Sequence, residues 1–184
     1  REGISQQELM PSIIQQRDSP PLALTLAISG RTAQAIALSD RLSRDQPKDT
    51  IINAVWLPMI RVAVELQTGG DESSAMTVEM LQSARGLEAS AFFRPQWARA
   101  NALLKSGKPD LAAAEFQTII DHRGQDALSP LWPLAHLGLA RARALQGDLA
   151  SARQAYQSFL DLWKNADPDL SILIEAKREL SKLK

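Results

Sequence analysis

The stretch LLKSGKPDLAAAEF at residues 103–116 returns forty residues later, in varied form, as RALQGDLASARQAY at residues 143–156. In both copies a helix-like run ends at a glycine, Gly107 or Gly147, and an alanine-rich run follows. Glycine lets a chain leave a helix through a left-handed conformation at little steric cost. The pattern therefore predicts two helical hairpins, each consisting of a helix, a tight turn and an antiparallel helix. Repetition at a period of about 20–50 residues is typical of arrays of structural repeats.

Two earlier glycines, Gly30 and Gly70, extend the repetition toward the N-terminus. An alanine lies seven residues before and five residues after each of the four glycines: Ala23, Ala63, Ala100 and Ala140 before, and Ala35, Ala75, Ala112 and Ala152 after. We interpret these alanines as points where paired helices cross closely, because only a small side chain lets two backbones approach. The last two repeats add the aromatic residues Phe116 and Tyr156 nine residues after the glycine.

These patterns predict an all-α protein, a right-handed superhelix of about four helical hairpins closed by a C-terminal capping helix. We expect one domain spanning residues 1–184, in which 1–17 are the remnant of an upstream repeat. The predicted repeats cover residues 20–46, 49–86, 94–122 and 130–164, and the predicted capping helix covers 168–183. Asp167 and Pro168 suit the start of that helix, and Pro58 predicts a kink inside the second repeat.

The small residue before the turn, the glycine, the alanine after it and the following aromatic resemble the tetratricopeptide repeat family over about residues 20–164. The period of 37–40 residues exceeds the usual ~34, and the first two repeats lack the aromatic. The resemblance implies curved arrays of hairpins whose first helices line a groove for a protein or peptide partner.

Three C-terminal stretches, 115–124, 134–142 and 155–169, are similar to the repeat region of bacterial, notably acidobacterial, eukaryotic-like serine/threonine protein kinases. That resemblance implies a signalling parent, in which a membrane span between kinase and repeats would place this piece outside the cytoplasm. A similar region follows some winged-helix transcriptional regulators. The sequence starts at Arg1 without a methionine, and we expect it to be part of a longer protein. No kinase motif lies within it.

The amino-acid composition argues against several functional classes. The 21 basic and 21 acidic residues cancel, whereas a general nucleic-acid binder needs a basic excess. The absence of cysteine removes disulfides, thiol nucleophiles and cysteine-ligated zinc, and no apolar stretch reaches the ~20 residues that span a bilayer. We therefore expect no nucleic-acid partner, no membrane insertion, no metal and no cofactor.

The sequence shows no catalytic motif, and we expect the chain not to be an enzyme. His136 is interpreted as a packed, hydrogen-bonded histidine, and His122 as a helix-end cation. The carboxylates Asp110, Glu115 and Asp121 are interpreted as solvated. A cryptic enzyme whose activity needs His136 or Asp121 is the remaining catalytic hypothesis.

One helix face carries the binding hypothesis. Trp97, Asn101 and Lys105 recur every four residues, one step round the helix from Ala100. Leu137 and Arg141 hold the corresponding positions forty residues on. The predicted peptide groove consists of Arg94, Trp97, Asn101, Lys105, Leu137 and Arg141. The predicted function is a non-catalytic protein-interaction module of a bacterial signalling protein. The alternatives are self-association that makes its parent a homo-oligomer, or the effector region of a winged-helix regulator.

Overall fold

The computed structural model describes residues 19–68, 73–125 and 129–183. These residues form nine α-helices, three 3₁₀ turns and one π-helical turn. The helices are α1 Pro20–Ile28, α2 Thr32–Asp45, α3 Leu57–Thr68, α4 Ser73–Met80, α5 Arg94–Lys105, α6 Pro109–Asp121, α7 Leu131–Leu145, α8 Leu149–Leu162 and α9 Ser171–Lys182. Helices α1 and α2, α5 and α6, and α7 and α8 pack as hairpins, so the predicted all-α class is confirmed. The predicted remnant at 1–17 lies outside the described residues.

The chain divides into two compact units. Of the described residues, the first unit contains 19–68, Ser73 and Met80–Leu87, and the second contains Ser74–Glu79 together with those from Glu88 onward. Helix α4 is shared between them. The second unit holds the two best-formed hairpins, α5–α6 and α7–α8, followed by α9.

Each described hairpin turn uses the same backbone device. Gly30, Gly107 and Gly147 have φ of 78°, 67° and 80°, the left-handed region that glycine enters without strain. The amide of the residue after each glycine donates to a carbonyl five residues back, as Lys108 N does to Leu103 O at 2.9 Å. These bonds satisfy carbonyls that the end of a helix leaves unpaired. The predicted glycine turns at 30, 107 and 147 are therefore present, and Gly70 lies outside the described residues.

Local capping explains where several helices begin. Ser19 accepts a hydrogen bond from Leu22 N at 3.4 Å before the two prolines that open α1, and Asp148 accepts one from Ser151 N at 3.1 Å at the start of α8. A side-chain acceptor at this position satisfies an amide that has no partner inside the helix. Proline also opens α6, where its missing N–H costs nothing.

Around Pro58, where a kink is predicted, the first unit contains a π-helical turn. This π-helical turn at Ile52–Trp56 precedes α3 and ends two residues before the proline, and both features are recognised sites of helix bending. Asp49 Oδ1 accepts from Ile52 N at 2.9 Å and starts this turn. The last helix of that repeat, α4, ends at Met80 and is followed by a 3₁₀ turn at Gln82–Ala84, so the predicted repeat 49–86 does not end in a continuous helix.

The small residues predicted at helix crossings are buried with one exception. Ala23, Ala35, Ala100, Ala112, Ala140 and Ala152 are fully buried and Ala63 is nearly so, whereas Ala75 is exposed on α4. Helix α9 also begins later than predicted, at Ser171. Asp167 instead accepts a hydrogen bond from Asp169 N at 3.1 Å within the preceding turn.

A close contact in the second unit joins α6 to α7 and was not predicted. Gly138 on α7 faces the fully buried ring of Phe116 on α6, and a Cβ built on Gly138 would overlap that ring. Phe116 is held from another side by Trp97, whose ring meets it edge-on at a centroid distance of 5.5 Å. Only glycine therefore allows α7 to lie this close to α6.

A buried ion cluster replaces part of the apolar core between α5 and α6. Arg99 is completely buried; its Nη2 contacts Glu88 Oε1 at 2.8 Å and Glu115 Oε2 at 3.1 Å. Its Nε also donates to Glu115 Oε1 at 3.3 Å. Forty residues on, the corresponding positions are the apolar, buried Leu139 and Ala155. The interpretation of Glu115 as a solvated carboxylate was therefore wrong, because this carboxylate neutralises a buried guanidinium.

The close contact at Gly138 has a measurable consequence. Gly138→Ala should lower the free energy of unfolding by about 1–3 kcal/mol, the usual cost of forcing extra volume into a packed core, although alanine favours a helix by about 1 kcal/mol. Urea unfolding followed by circular dichroism measures it. Gly124→Ala is the matched control, because nothing lies within 4 Å of a Cβ built on Gly124. Equal stability of the two variants would contradict the assigned contact.

The ion cluster predicts strong coupling between two substitutions. Arg99→Leu alone leaves Glu115 buried without its cation and should cost about 3–5 kcal/mol. Adding Glu115→Ala reproduces the apolar pair of the next repeat and should restore a large part of that loss, because the more buried of the two carboxylates that lost their cation is gone. A double-mutant cycle by urea unfolding tests this. Additive losses would show that the ion pair is not what makes the single variant unstable.

Candidate functional site

The first helices of the second unit, α5, α7 and α9, share one register. Ala100, Ala140 and Ala176 are all fully buried at matching positions, so Asn101, Arg141 and Lys177, each one residue later, also correspond. Helix α5 contacts α7 directly, and α9 is tied to α7 by ion pairs. We call the surface formed by Trp97, Asn101, Lys105 and Arg141 the first-helix face.

Helix α5 supplies the most open part of the first-helix face. Trp97 is half-buried, since one edge of its indole packs on Phe116. Asn101 Nδ2 donates to Trp97 O at 2.8 Å, and among the described residues its Oδ1 has no hydrogen-bond partner. Lys105 is exposed one turn further on. The three side chains therefore form a stripe with an aromatic ring, an amide acceptor and a positive charge.

Arg141 is already engaged by the terminal helix. Its Nε lies 2.9 Å from Glu179 Oε2 and its Nη2 lies 3.0 Å from Glu179 Oε1, a paired geometry that matches a guanidinium to a carboxylate. Nη2 also reaches Glu175 Oε2 at 3.3 Å. Partial burial disfavours the charge, but the hydrogen bond and charge of Glu179 outweigh it and raise the pKa of Arg141.

Tyr156 on α8 completes this junction. Its hydroxyl donates to Glu179 Oε2 at 2.9 Å. Burial and this hydrogen bond to a carboxylate both raise the pKa of Tyr156, so the phenol stays protonated and remains a donor. Three helices, α7, α8 and α9, therefore meet at one carboxylate.

The remaining two residues of the predicted groove lie elsewhere. Leu137 is 2% exposed and belongs to the core of the second unit, so it supports the first-helix face from beneath. Arg94 is exposed at the start of α5, where its guanidinium carbon lies 5.3 Å from the centre of the Phe92 ring. Its Nη1 donates to Ala91 O at 3.4 Å. Arg94 is thus turned toward the segment that precedes α5.

That segment has an unusual backbone. Phe92 and Phe93 have φ of 54° and 57°, values that bulky residues rarely adopt. Phe93 is buried and its ring lies 5.3 Å from that of His122, while Phe92 is partly exposed beneath Arg94. The buried ring of Phe93 explains how the packing holds this strained turn.

Sequence reasoning missed Glu175 and Glu179 as partners of Arg141. The available signal was their spacing of four residues on α9, one on each side of Ala176, which corresponds to Ala140. Among the described residues no group of histidine and carboxylate side chains is arranged to hold a metal ion. In the same part of the chain, no helix has the length and apolar character needed to cross a membrane.

The junction at Arg141 predicts a local effect. Arg141→Ala should lower the free energy of unfolding by no more than about 1 kcal/mol, because the pair is partly exposed and screened, yet should speed amide hydrogen exchange in α9. Arg178→Ala is the control, since Arg178 is 64% exposed and 3.7 Å from its partner Glu175. Equal exchange of α9 in the two variants would show that Arg141 does not hold this helix.

Comparison with known proteins gives one match. Residues 98–167, which run from α5 through α8, match the family model described as tetratricopeptide repeat. No curated protein and no solved structure matches the chain. The matched segment contains most of both well-formed hairpins and most of the first-helix face.

Proposed function

We propose that this chain is a non-catalytic protein-interaction module that holds a protein or peptide partner on its first-helix face. The observation that carries the proposal is the tetratricopeptide match over residues 98–167, because such repeats typically bind proteins and no catalytic family matches. The stripe of Trp97, Asn101 and Lys105 supplies contacts of the type that peptide recognition uses.

The physical basis is a rigid surface. Helices α5 to α8 are locked by glycine turns and close core contacts, so a partner meets side chains whose backbone is already fixed, and preorganisation lowers the cost of binding. A half-exposed tryptophan is a favourable anchor at interfaces. Asn101 Oδ1 would accept a backbone amide of the partner, and Lys105 would face an acidic group. Because Arg141 is neutralised by Glu179, we assign the partner's charge recognition to Lys105.

The proposal is tested with peptides selected from a random phage-display library on the intact chain. Lys105→Glu should weaken the selected peptides about tenfold or more, because a favourable charge contact becomes repulsive. Lys164→Glu makes the same charge change at an exposed position after α8 and should leave affinity unchanged. Binding measured by fluorescence anisotropy that falls equally in both variants would place the partner elsewhere.

We also propose that the module belongs to a bacterial signalling protein, with a serine/threonine kinase as the suspected parent. What supports this is the resemblance of residues 115–124, 134–142 and 155–169 to the repeat region of such kinases. The complete coding sequence around this segment tests the proposal. A reading frame without a kinase or a DNA-binding regulator would overturn it.

A second candidate function is self-association through α9. Leu170, the residue before this terminal helix, and Ile174, in its first turn, are 40% and 55% exposed. Sedimentation over a range of concentrations separates the two functions, because a dimer formed through α9 would dissociate on Ile174→Lys. A chain that stays monomeric at every concentration would exclude this candidate.

A further inference from the structure

The second unit contains a cleft that the first-helix face does not use. It lies among α6, α7 and α8 and has a volume of about 270 Å³. Its polar lining includes Gln117, His136, Arg143, Gln154 and Ser158, while Ile120 and Leu139 supply apolar surface. The cleft is therefore more polar than most small-ligand pockets, which are lined mainly by hydrophobic and aromatic side chains, and its polar groups converge on one concave surface.

Arg143 carries the only formal charge among the residues that line the cleft. Its Nη1 donates to Gln146 Oε1 at 3.0 Å. No carboxylate of the described residues lies within ion-pair distance of it, although its charge helps to lower the pKa of Asp148 after the stronger effect of hydrogen bonds from Ser151. In contrast to Arg141 and Arg99, Arg143 is therefore a guanidinium without an ion-pair partner in the described part of the chain.

Several other lining groups have unused hydrogen-bonding capacity. Gln117 Nε2 donates to Asp121 Oδ1 at 2.8 Å, which leaves its carbonyl oxygen available. Ser158 Oγ donates to Gln154 O at 3.0 Å and can still accept, and the side-chain amide of Gln154 has no partner among the described residues. A ligand bound near Arg143 would therefore find both hydrogen-bond donors and acceptors in the lining of the cleft.

His136 adds an unexplained buried atom at the wall of this cleft. Its Nε2 is buried and has no hydrogen-bond partner in the described structure, a state that ordinarily costs about 1–3 kcal/mol. The imidazole ring of His136 and the ring of Trp132 are nearly perpendicular, and their centroids lie 5.1 Å apart. Burial lowers the pKa of His136, so the imidazole is neutral near pH 7 and does not add a second charge to the cleft.

We propose that the cleft among α6, α7 and α8 is a binding site for a small organic monocarboxylate with a polar body. Arg143 binds the carboxylate through its free N–H groups, while the Gln154 amide, Gln117 Oε1 and Ser158 Oγ bind a hydroxyl or amide of the ligand. The site lies outside the first-helix face and adds ligand binding to the proposed interaction module.

Charge and size select this ligand class. A phosphate carries a charge of about −1.5 to −2 at neutral pH, and the lining offers one cation to balance it. A single carboxylate matches one guanidinium in charge and in its two-pronged geometry. The volume is just below the lower end of the range for drug-sized ligands, about 300 Å³, so a short acid fits better than a peptide.

The test is an NMR titration of the full, isotopically labelled chain with 3-hydroxybutyrate, and in parallel with its neutral amide. The acid should give saturating shifts of backbone amides at Ser151, Gln154 and Ser158 with a Kd of about 10 mM or tighter, and the amide should bind at least tenfold more weakly. Arg143→Gln should weaken the acid about tenfold, in line with the loss of a charged hydrogen bond. Arg178→Gln, which removes a cation outside the cleft, should have no effect.

A second variant distinguishes loss of ligand binding from a general loss of structure. Ser158→Leu fills the cleft with an apolar side chain and keeps Arg143, so it should abolish saturation while the melting temperature stays close to that of the original chain. The proposal is overturned if the acid gives no saturable shifts. It is equally overturned if Arg143→Gln and Arg178→Gln bind alike, or if inorganic phosphate binds and the monocarboxylate does not.

Discussion

The contact between Gly138 and the ring of Phe116 sets the spacing on which the rest of the second unit depends. Phe116 is fully buried and also packs against Trp97, so one ring lies against both α5 and α7. Because packed interiors resist even small changes in volume, the absence of a side chain at Gly138 fixes how closely α7 approaches α6. The position of the first-helix face and the width of the cleft behind it both follow from that approach.

The two hairpins of this unit fill matching core positions with different kinds of side chain, apolar in one hairpin and charged in the other. Between α7 and α8 the core uses Leu139 and Ala155, whereas between α5 and α6 the matching positions hold Arg99 and Glu115. A buried ion pair seldom adds stability over apolar residues of similar volume, because desolvation offsets the attraction. Its presence ties the 3₁₀ turn at Glu88–Ala91 to α5 through Glu88. The cluster thereby fixes the segment that leads into the first well-formed hairpin.

Three arginines on neighbouring helices show how environment assigns different roles to one residue type. Arg99 is sealed in the core with two carboxylates, and Arg141 joins α7 to the terminal helix through Glu179. Arg143, two residues after Arg141, points to the opposite side of α7 and has no ion-pair partner in the described structure. Residues two apart on a helix lie on nearly opposite sides, whereas residues three or four apart share a face, so α7 serves both the first-helix face and the cleft.

The sequence by itself determined the helical class, the hairpin turns and most of the close helix crossings. These features depend on local rules: glycine at a left-handed turn, alanine where backbones approach, and proline or a short polar residue at a helix start. It also placed Trp97, Asn101 and Lys105 together, since their spacing of four residues alone puts them on one face of α5. Local rules could not show that Leu137 is buried beneath that face or that Gly138 receives the ring of Phe116.

Only the tertiary structure decided which charges are satisfied. Glu175 and Glu179 bind Arg141, which is more than thirty residues away in sequence. The sequence around Glu115 does not distinguish it from a surface carboxylate, because its partner Arg99 lies on a different helix, α5. Such pairings depend on the distance between helices that are remote in sequence, and that distance follows from the complete packing of the unit. The same reason applies to the cleft around Arg143, whose walls come from three helices that no single stretch of sequence contains.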